Sequence, residues 1–266
     1  MISKNFVHNF TLNVSNYRLI KVWLTLNGSL QGVLHGHTDV IMDLKISYCN
    51  NYIISCGKEG VIHIWDLKRL KHLHACKEHK GSVNSLKVVQ TKLANSEVQL
   101  LYTTGDDGLI NVYNLDRANK SDIDFDDETQ VKTRRAKPPQ NKNPLFLFSL
   151  SSIEFTGLKK NKKNHIVEVS NKRGLIYAGC YGGDLLIWRT DNYRREKVLK
   201  VAYELVSKIK AHQKSTHIIS VSPDENYFMT GSIDGTACIW KQPETGHDII
   251  DLISDLENGH KDGGAK

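Results

Sequence analysis

Histidine, hydroxyl, acidic and aromatic residues recur along this chain at fixed spacings. The last set comprises His212, Thr230, Asp234 and Trp240, with the hydroxyl ten residues and the acid six residues before the aromatic. A histidine beside a hydroxyl and a carboxylate could carry out acid–base or nucleophilic catalysis. The same side chains could instead satisfy one another's hydrogen bonds inside a folded core. The spacing therefore raises two hypotheses, a catalytic set and a structural network.

Two more sets keep this spacing, and two positions break it. The first of these sets, with a longer acid, is His37, Ser55, Glu59 and Trp65. The second, with tyrosine in place of tryptophan, is His79, Thr103, Asp107 and Tyr113. The broken positions have Ala178 and Gly182 before Trp188, and Tyr17 at the acid position before Trp23. Because every buried polar group in a complete set has a partner, we interpret the sets as structural networks rather than catalytic sites.

The elements that must position these residues are short β-hairpins. The phrase TGSIDGTACIW at 230–240 recurs as SCGKEGVIHIW at 55–65, TTGDDGLINVY at 103–113 and AGCYGGDLLIW at 178–188. Asp-Gly between apolar runs is a strong hairpin signal. An upstream strand and an entry motif such as Gly36-His37 complete a unit typical of propeller repeats with a GH…WD signature. The pattern predicts an all-β, incomplete WD-repeat β-propeller of about four to five blades, and it leaves open whether the ring closes alone, closes by dimerising or does not close.

The composition indicates a globular chain with no catalytic motif. Its 266 residues are 39% hydrophobic, and 36 basic against 29 acidic residues leave a net charge of +7. The five cysteines form no close pairs, which indicates reduced thiols. No apolar run approaches the length of a membrane span, and the first residues lack the apolar core of a signal peptide. We find no GxSxG, phosphate loop or HExxH, so we expect no enzyme activity and no cofactor.

Several segments interrupt the repeats. We expect a propeller over 1–243, with a disordered insertion at 116–144 and a tail over 244–266 that is either helical or the outer strand of the last blade. The basic runs 132–142 and 158–163 could contact phosphates, so a nucleic-acid-binding protein is the alternative function. The stretch HLHACKEH at 72–79 suggests zinc, but alternating side chains would place its ligands on both faces of a strand. We therefore predict no metal site there.

The order of the repeats resembles one family, the bromodomain and WD-repeat-containing proteins of the pleckstrin-homology-domain-interacting protein group. RLIKVWLTLNGSLQGVLHGHTDVIMDLKISYCNNYIISCGKEGVIHIWDL resembles the join between two early blades of that family. The later phrases EHKGSVNSLKVV, LLYTTGDDGLINVYNL, GLIYAGCYGGDLLIW and FMTGSIDGTACIW follow in the family's order. The resemblance covers roughly residues 17–240. The sequence departs from the family pattern in two ways. We find no bromodomain after the repeats, and we expect the opening strands of the first blade to be missing.

The resemblance implies a nuclear, chromatin-associated scaffold, involved in transcription regulation and in cell shape and cytoskeletal organisation; without it, we would expect a cytoplasmic protein. It also implies protein partners, which include histone tails or the adaptor of a cullin-RING ubiquitin ligase, and no membrane. For the ligase, the adaptor contact would involve Trp65, Asp66 and Lys68. Cys56 and Lys68 depart from the ligase-receptor signature, which ends in Trp-Asp-x-Arg. The sequence does not indicate an oligomeric state.

Overall fold

The residues that the structure describes form twenty β-strands, which pair in antiparallel fashion into five sheets of four strands each. The computed structural model describes residues 6–7, 10–15, 18–93, 96–115, 148–153, 164–191, 202–242 and 252–257. These residues contain no helix, so none of the described part offers a helix that could cross a membrane. In every sheet the strands follow one another in chain order, which makes each sheet a four-stranded meander.

We name the sheets blades 1 to 5. Blade 1 comprises β1 (Phe6–Val7), β2 (Phe10–Ser15), β3 (Leu19–Leu24) and β4 (Leu30–Leu34). Blade 2 comprises β5 (Ile41–Ile46), β6 (Tyr52–Gly57), β7 (Ile62–Asp66) and β8 (Lys71–Cys76). Blade 3 comprises β9 (Val83–Leu93), β10 (Ser96–Gly105), β11 (Ile110–Asn114) and β12 (Phe148–Ile153). Blade 4 comprises β13 (Asn164–Ser170), β14 (Leu175–Cys180), β15 (Asp184–Asp191) and β16 (Ala202–Lys210). Blade 5 comprises β17 (Thr216–Val221), β18 (Tyr227–Ser232), β19 (Thr236–Lys241) and β20 (Leu252–Glu257).

The blades lie side by side in an arc. The first strands of blades 2, 3, 4 and 5 contact one another in sequence, and β2 of blade 1 contacts β5 of blade 2. Among the described residues, no contact of comparable extent joins blade 5 to blade 1. This is the arrangement of a β-propeller, as the sequence predicts, and its described blades form an open arc.

The hydrophobic core lies between neighbouring blades. An aromatic residue on the third strand of each of blades 2 to 5 packs against the blade before it, and these residues are Trp65, Tyr113, Trp188 and Trp240. Along the second strands of blades 2 to 4, successive side chains point alternately to the preceding blade and to the following blade. In blade 2, Ile53 belongs to the cluster with blade 1, while Ile54 belongs to the cluster with blade 3. The repeated aromatic is therefore the residue that joins each blade to its predecessor.

Blade 1 corrects one expectation. The opening strands of this blade, expected to be missing, are present as β1 and β2, and β2 pairs with β3 from Phe10↔Leu24 to Ser15↔Leu19. The segment FTLNVS contains no turn acid or histidine, but its Leu12 is fully buried against blade 2. Packing on the next blade, rather than a local signal, explains why this strand forms.

Two further sequence predictions concern the ends of blades. The sequence leaves a helix or an outer strand open for 244–266. The structure has the outer strand there, since β20 pairs with β19 in blade 5. The division of the chain at residue 243 remains a prediction. The expected insertion at 116–144 and the basic runs 132–142 and 158–163 lie outside the described residues.

Candidate functional site

The network of blade 5 centres on the hydroxyl of Thr230. The indole N–H of Trp240 donates to Thr230 Oγ1 at 3.0 Å, and His212 Nε2 lies 2.8 Å from the same oxygen. Asp234 is 3.8 Å from His212 Nδ1, beyond hydrogen-bond distance. Thr236 bridges this gap, since its hydroxyl lies 2.7 Å from His212 Nδ1 and donates to Asp234 Oδ1 at 2.6 Å. The structure therefore brings the four predicted residues together and adds a fifth.

Blade 2 holds the corresponding set with direct contacts. Trp65 Nε1 donates to Ser55 Oγ at 2.8 Å, and His37 Nε2 lies 2.7 Å from that oxygen. His37 Nδ1 contacts Glu59 Oε1. The longer side chain of Glu59 thus reaches the histidine without an intermediate hydroxyl. Burial lowers the pKa of His37 to about 4 and raises the pKa of the Glu59 carboxyl.

Blade 3 has the histidine, hydroxyl and acid in contact but lacks the aromatic donor. His79 Nε2 is 2.7 Å from Thr103 Oγ1, and His79 Nδ1 is 3.0 Å from Asp107. The Tyr113 hydroxyl is buried and has no hydrogen-bond partner of ordinary geometry among the described residues. The Asn111 amide instead lies 3.3 Å from His79 Nε2. Burial opposes ionisation of Asp107, but hydrogen bonds from His79 and backbone N–H groups lower its pKa.

These networks can support a fold but cannot reach a substrate. The three central hydroxyls, on Ser55, Thr103 and Thr230, are 0% exposed. A nucleophile must come within bonding distance of the reacting atom, and no external molecule could approach these oxygens without unfolding the blade. The geometry therefore supports a structural role for each set.

Blade 2 brings together a second group of polar side chains, which we call the blade 2 histidine cluster: His37, Glu59, His63 and His72. His63 Nδ1 lies 2.9 Å from His72 Nε2, and His63 Nε2 lies 3.7 Å from Glu59 Oε1. The rings of His63 and Trp65 are stacked with centroids 5.5 Å apart. Burial and the neighbouring histidines lower the pKa of His63 to about 4.

Sequence reasoning missed this cluster, although a signal was present. His63 lies two residues before Trp65 on β7, and alternate residues of a strand share one face. His72 lies directly opposite Trp65 on β8. The prediction of no metal site concerns 72–79 as a linear stretch, whereas the structure places His72 beside His63 of the neighbouring strand. The pairing of β7 with β8 is the signal for this juxtaposition.

One side of the arc is formed by the turns between second and third strands, next to the loops that enter the following blades. In blade 4, the Gly183 carbonyl accepts hydrogen bonds from the backbone N–H groups of Ala211 at 3.1 Å and His212 at 3.0 Å. These contacts tie the turn of one blade to the entry loop of the next. In blade 2, Gly60 similarly lies against the carbonyl oxygens of His79 and Gly81 in the entry loop of blade 3, so neighbouring turns and entry loops form one surface.

Apolar and cationic side chains project from this surface. Tyr181 and Ile233, at two turns, are 44% and 59% exposed. Lys58, Lys80 and Lys214, from a turn and two entry loops, are also exposed. We call these five residues the turn face. Exposed tyrosine and isoleucine beside lysines suit a protein partner that supplies acidic side chains.

The predicted ligase-adaptor residues differ in accessibility. Trp65 is 1% exposed and packs between blades 1 and 2. The Asp66 carboxylate accepts hydrogen bonds from the backbone N–H groups of Lys68 at 2.9 Å and Arg69 at 2.8 Å, so it stabilises the turn after β7. Lys68 is exposed. Of the three residues, it is the one that a partner could contact directly.

Comparison with known proteins identifies the repeats. Residues 28–66 and 203–241 match the family model of the WD domain, G-beta repeat. The β-propeller domain of Cps50 (Swd1) from Myceliophteria thermophila superimposes with a TM-score of 0.67 at 12% identity, over 97% of this chain and 70% of that one. Two segments of this chain therefore match WD repeats, and its described sheets have the fold of a WD-repeat β-propeller.

Similar proteins come from different cellular assemblies. A bromodomain and WD repeat-containing protein of Dictyostelium discoideum is 24% identical over 90% of this chain and 12% of its own length. Eukaryotic translation initiation factor 3 subunit I of Saccharomyces cerevisiae is 26% identical over 80% of this chain and 52% of its own. The COMPASS component Swd3 of the same yeast is 22% identical over 84% of this chain and 62% of its own length. The chain thus spans less than two thirds of each of these relatives.

Proposed function

We propose that this chain is a non-enzymatic WD-repeat scaffold that binds another protein through the turn face. The observation that carries the proposal is the combination of buried, hydrogen-bonded polar networks with exposed apolar and cationic residues on one continuous surface. The networks hold the turns in place, so the surface is ordered before a partner arrives. A preorganised surface loses less conformational entropy on binding.

The chemistry of the turn face favours an acidic segment of the partner. Lys58, Lys80 and Lys214 would steer such a segment, while Tyr181 and Ile233 would supply apolar contact area. Histone tails are themselves basic, so the charge of this surface does not favour them. A nuclear, chromatin-associated role is supported by the resemblance to bromodomain and WD-repeat proteins and by the similarity to a COMPASS component. Cytoskeletal and ligase-adaptor roles rest on the resemblance alone.

The test is affinity capture of partners from nuclear extract, followed by cross-linking mass spectrometry. We expect cross-links from partner proteins at Lys58, Lys80 and Lys214. The double substitution Tyr181→Ser and Ile233→Ser should reduce capture of those partners at least about tenfold, the size of effect typical of a hot-spot residue. Tyr48→Ser is the matched control, because Tyr48 is 53% exposed but lies in the turn between β5 and β6, at the opposite end of its blade.

The alternative, a nucleic-acid-binding protein, predicts a different result. Binding through the basic runs 132–142 and 158–163 would be lost on nuclease treatment and would weaken steeply with salt, since phosphate contacts release counterions. Cross-links would then fall in those runs, and the turn-face variant would behave like wild type. That outcome would contradict the scaffold proposal.

A further inference from the structure

In the blade 2 histidine cluster, the ring nitrogen His63 Nε2 faces the carboxylate oxygen Glu59 Oε1 at 3.7 Å. His63 Nδ1 lies 2.9 Å from His72 Nε2, so one of these two nitrogens donates to the other. When His63 donates through Nδ1, its other nitrogen, Nε2, carries a lone pair on the side of Glu59.

In its ionised form the Glu59 carboxylate offers only acceptor oxygens to this lone pair. Its Oε1 lies 3.7 Å from His63 Nε2, and its Oε2 is buried without a hydrogen-bond partner among the described residues. The side chain is held in this position over Gly57, where any Cβ atom would collide with the carboxylate. A nitrogen lone pair and a carboxylate so placed are donor atoms of the kind that bind a metal cation.

We propose that His37, Glu59 and His63 bind a divalent transition metal, with Zn²⁺ as the chemically favoured ion. One ligand atom from each residue lies within 4.8 Å of the other two. Zinc bonds of about 2.0–2.2 Å to imidazole nitrogen and carboxylate oxygen place tetrahedral ligands about 3.4 Å apart, so modest side-chain rotations complete the site. Two imidazoles and one carboxylate are a donor set suited to zinc rather than to calcium or magnesium.

The surrounding residues match what a metal site needs in its outer shell. When His63 binds through Nε2, its Nδ1–H donates to His72, which fixes the ring orientation. When His37 binds through Nδ1, its proton moves to Nε2 and donates to Ser55 Oγ, which lies 2.7 Å away. The metal would then join the entry loop of blade 2, the turn after β6 and strand β7.

The same position in blade 5 shows that the network does not require these extra ligands. Cys238 takes the place of His63, two residues before the aromatic, and Thr236 mediates the contact of the acid. Blade 5 therefore forms a complete network without a second histidine. The additional histidines of blade 2 are thus not needed to form the network, which supports a separate role for them in metal binding.

The experiment measures Zn²⁺ affinity of the full chain by competition with a chromophoric chelator, with Co²⁺ absorption as a report of coordination geometry. We expect saturation at one equivalent, an intense tetrahedral Co²⁺ spectrum, and a higher melting temperature with Zn²⁺ than with chelator. Glu59→Gln and His63→Gln should each weaken Zn²⁺ binding at least about tenfold, and His72→Gln about 10–100-fold as an outer-shell change. His74→Gln, on the same strand as His72, is the control and should bind like wild type.

Several outcomes would overturn the proposal. Binding of equal strength in His63→Gln and wild type would place the metal elsewhere, as would a loss of equal size in His74→Gln. Absence of saturable binding by wild type would remove the site altogether. Circular dichroism of each variant separates loss of a ligand from loss of the fold, and His72→Gln retains all three ligands if a direct ligand variant does not fold.

Discussion

At the scale of single residues, the central hydroxyl determines how each network is satisfied. Thr230 Oγ1 serves both Trp240 and His212, so its removal would leave two buried polar groups without a partner. Thr216 lies in the same blade and is also 0% exposed, yet its hydroxyl has no partner among the described residues. The two threonines differ in hydrogen bonding and hardly at all in burial.

We expect Thr230→Val to destabilise the chain by about 2–6 kcal/mol, because each of two buried groups left unsatisfied costs about 1–3 kcal/mol. Thr216→Val, the same change at a hydroxyl that makes no hydrogen bond, should be neutral or slightly stabilising. Urea unfolding followed by tryptophan fluorescence gives both free energies of unfolding. Equal costs for the two variants would show that packing, and not the network, determines stability at these sites.

The residue pattern could predict which side chains meet but not every contact. The spacing before Trp240 places His212, Thr230 and Asp234 in one network, and the structure has them together. The sequence pattern does not show that Thr236 mediates the contact of Asp234, because the length of the gap depends on the turn geometry. The pattern likewise does not show that the buried Tyr113 hydroxyl has no hydrogen bond of ordinary geometry to a described residue, whereas the Trp240 N–H donates to Thr230.

At the scale of elements, local signals predict some blades and packing decides others. Blades 2, 3 and 5 have a hairpin turn with an acid, an entry histidine and a terminal aromatic, so the sequence predicts them directly. Strand β2 has none of these features and forms because Leu12 and its neighbours pack on blade 2. Blade 4 lacks the hydroxyl and acid, but residues such as Ile176 and Ile187 are fully buried against its neighbours. Non-local burial of this kind cannot be derived from one strand's own residues.

The turn after β14 offers a test of how blades are joined. Gly183 has φ +80°, and a Cβ atom there would collide with the backbone oxygens of His212 and Lys214 in the entry loop of blade 5. Gly28 has a similar φ of +68°, but nothing lies within 4 Å of its Cβ position. The first glycine is required by conformation and by close approach, the second by conformation alone.

Gly28→Ala should cost about 1–2 kcal/mol, the price of left-handed backbone for a residue with a side chain. Gly183→Ala should cost about 1–3 kcal/mol more, since a rigid backbone must shift as well. Thermal unfolding monitored by circular dichroism measures both. An equal loss in the free energy of unfolding for the two variants would mean that the close contact between the turn of blade 4 and the entry loop of blade 5 does not affect stability.

At the scale of the whole molecule, the exposed side of blade 5 is the feature that sets solution behaviour. One face of its sheet packs on blade 4 through Phe228 and Trp240. The opposite face exposes Ile218 at 51%, Tyr227 at 42% and Met229 at 42%. These side chains occupy positions that an adjoining blade would cover in a closed ring. An apolar sheet face of this kind promotes association in water.

We therefore expect the purified chain to self-associate, with a second copy covering the exposed face of blade 5. Size-exclusion chromatography with light scattering should give a mass above that of the monomer, increasing with concentration. The double substitution Ile218→Lys and Met229→Lys should shift the mass toward the monomer, because two buried charges would oppose the contact. Leu26→Lys is the control, since Leu26 is 90% exposed but lies in a turn of blade 1 away from this face. A wild-type monomer at all concentrations, or equal association of the double variant, would mean that this face stays uncovered or that the copies meet elsewhere.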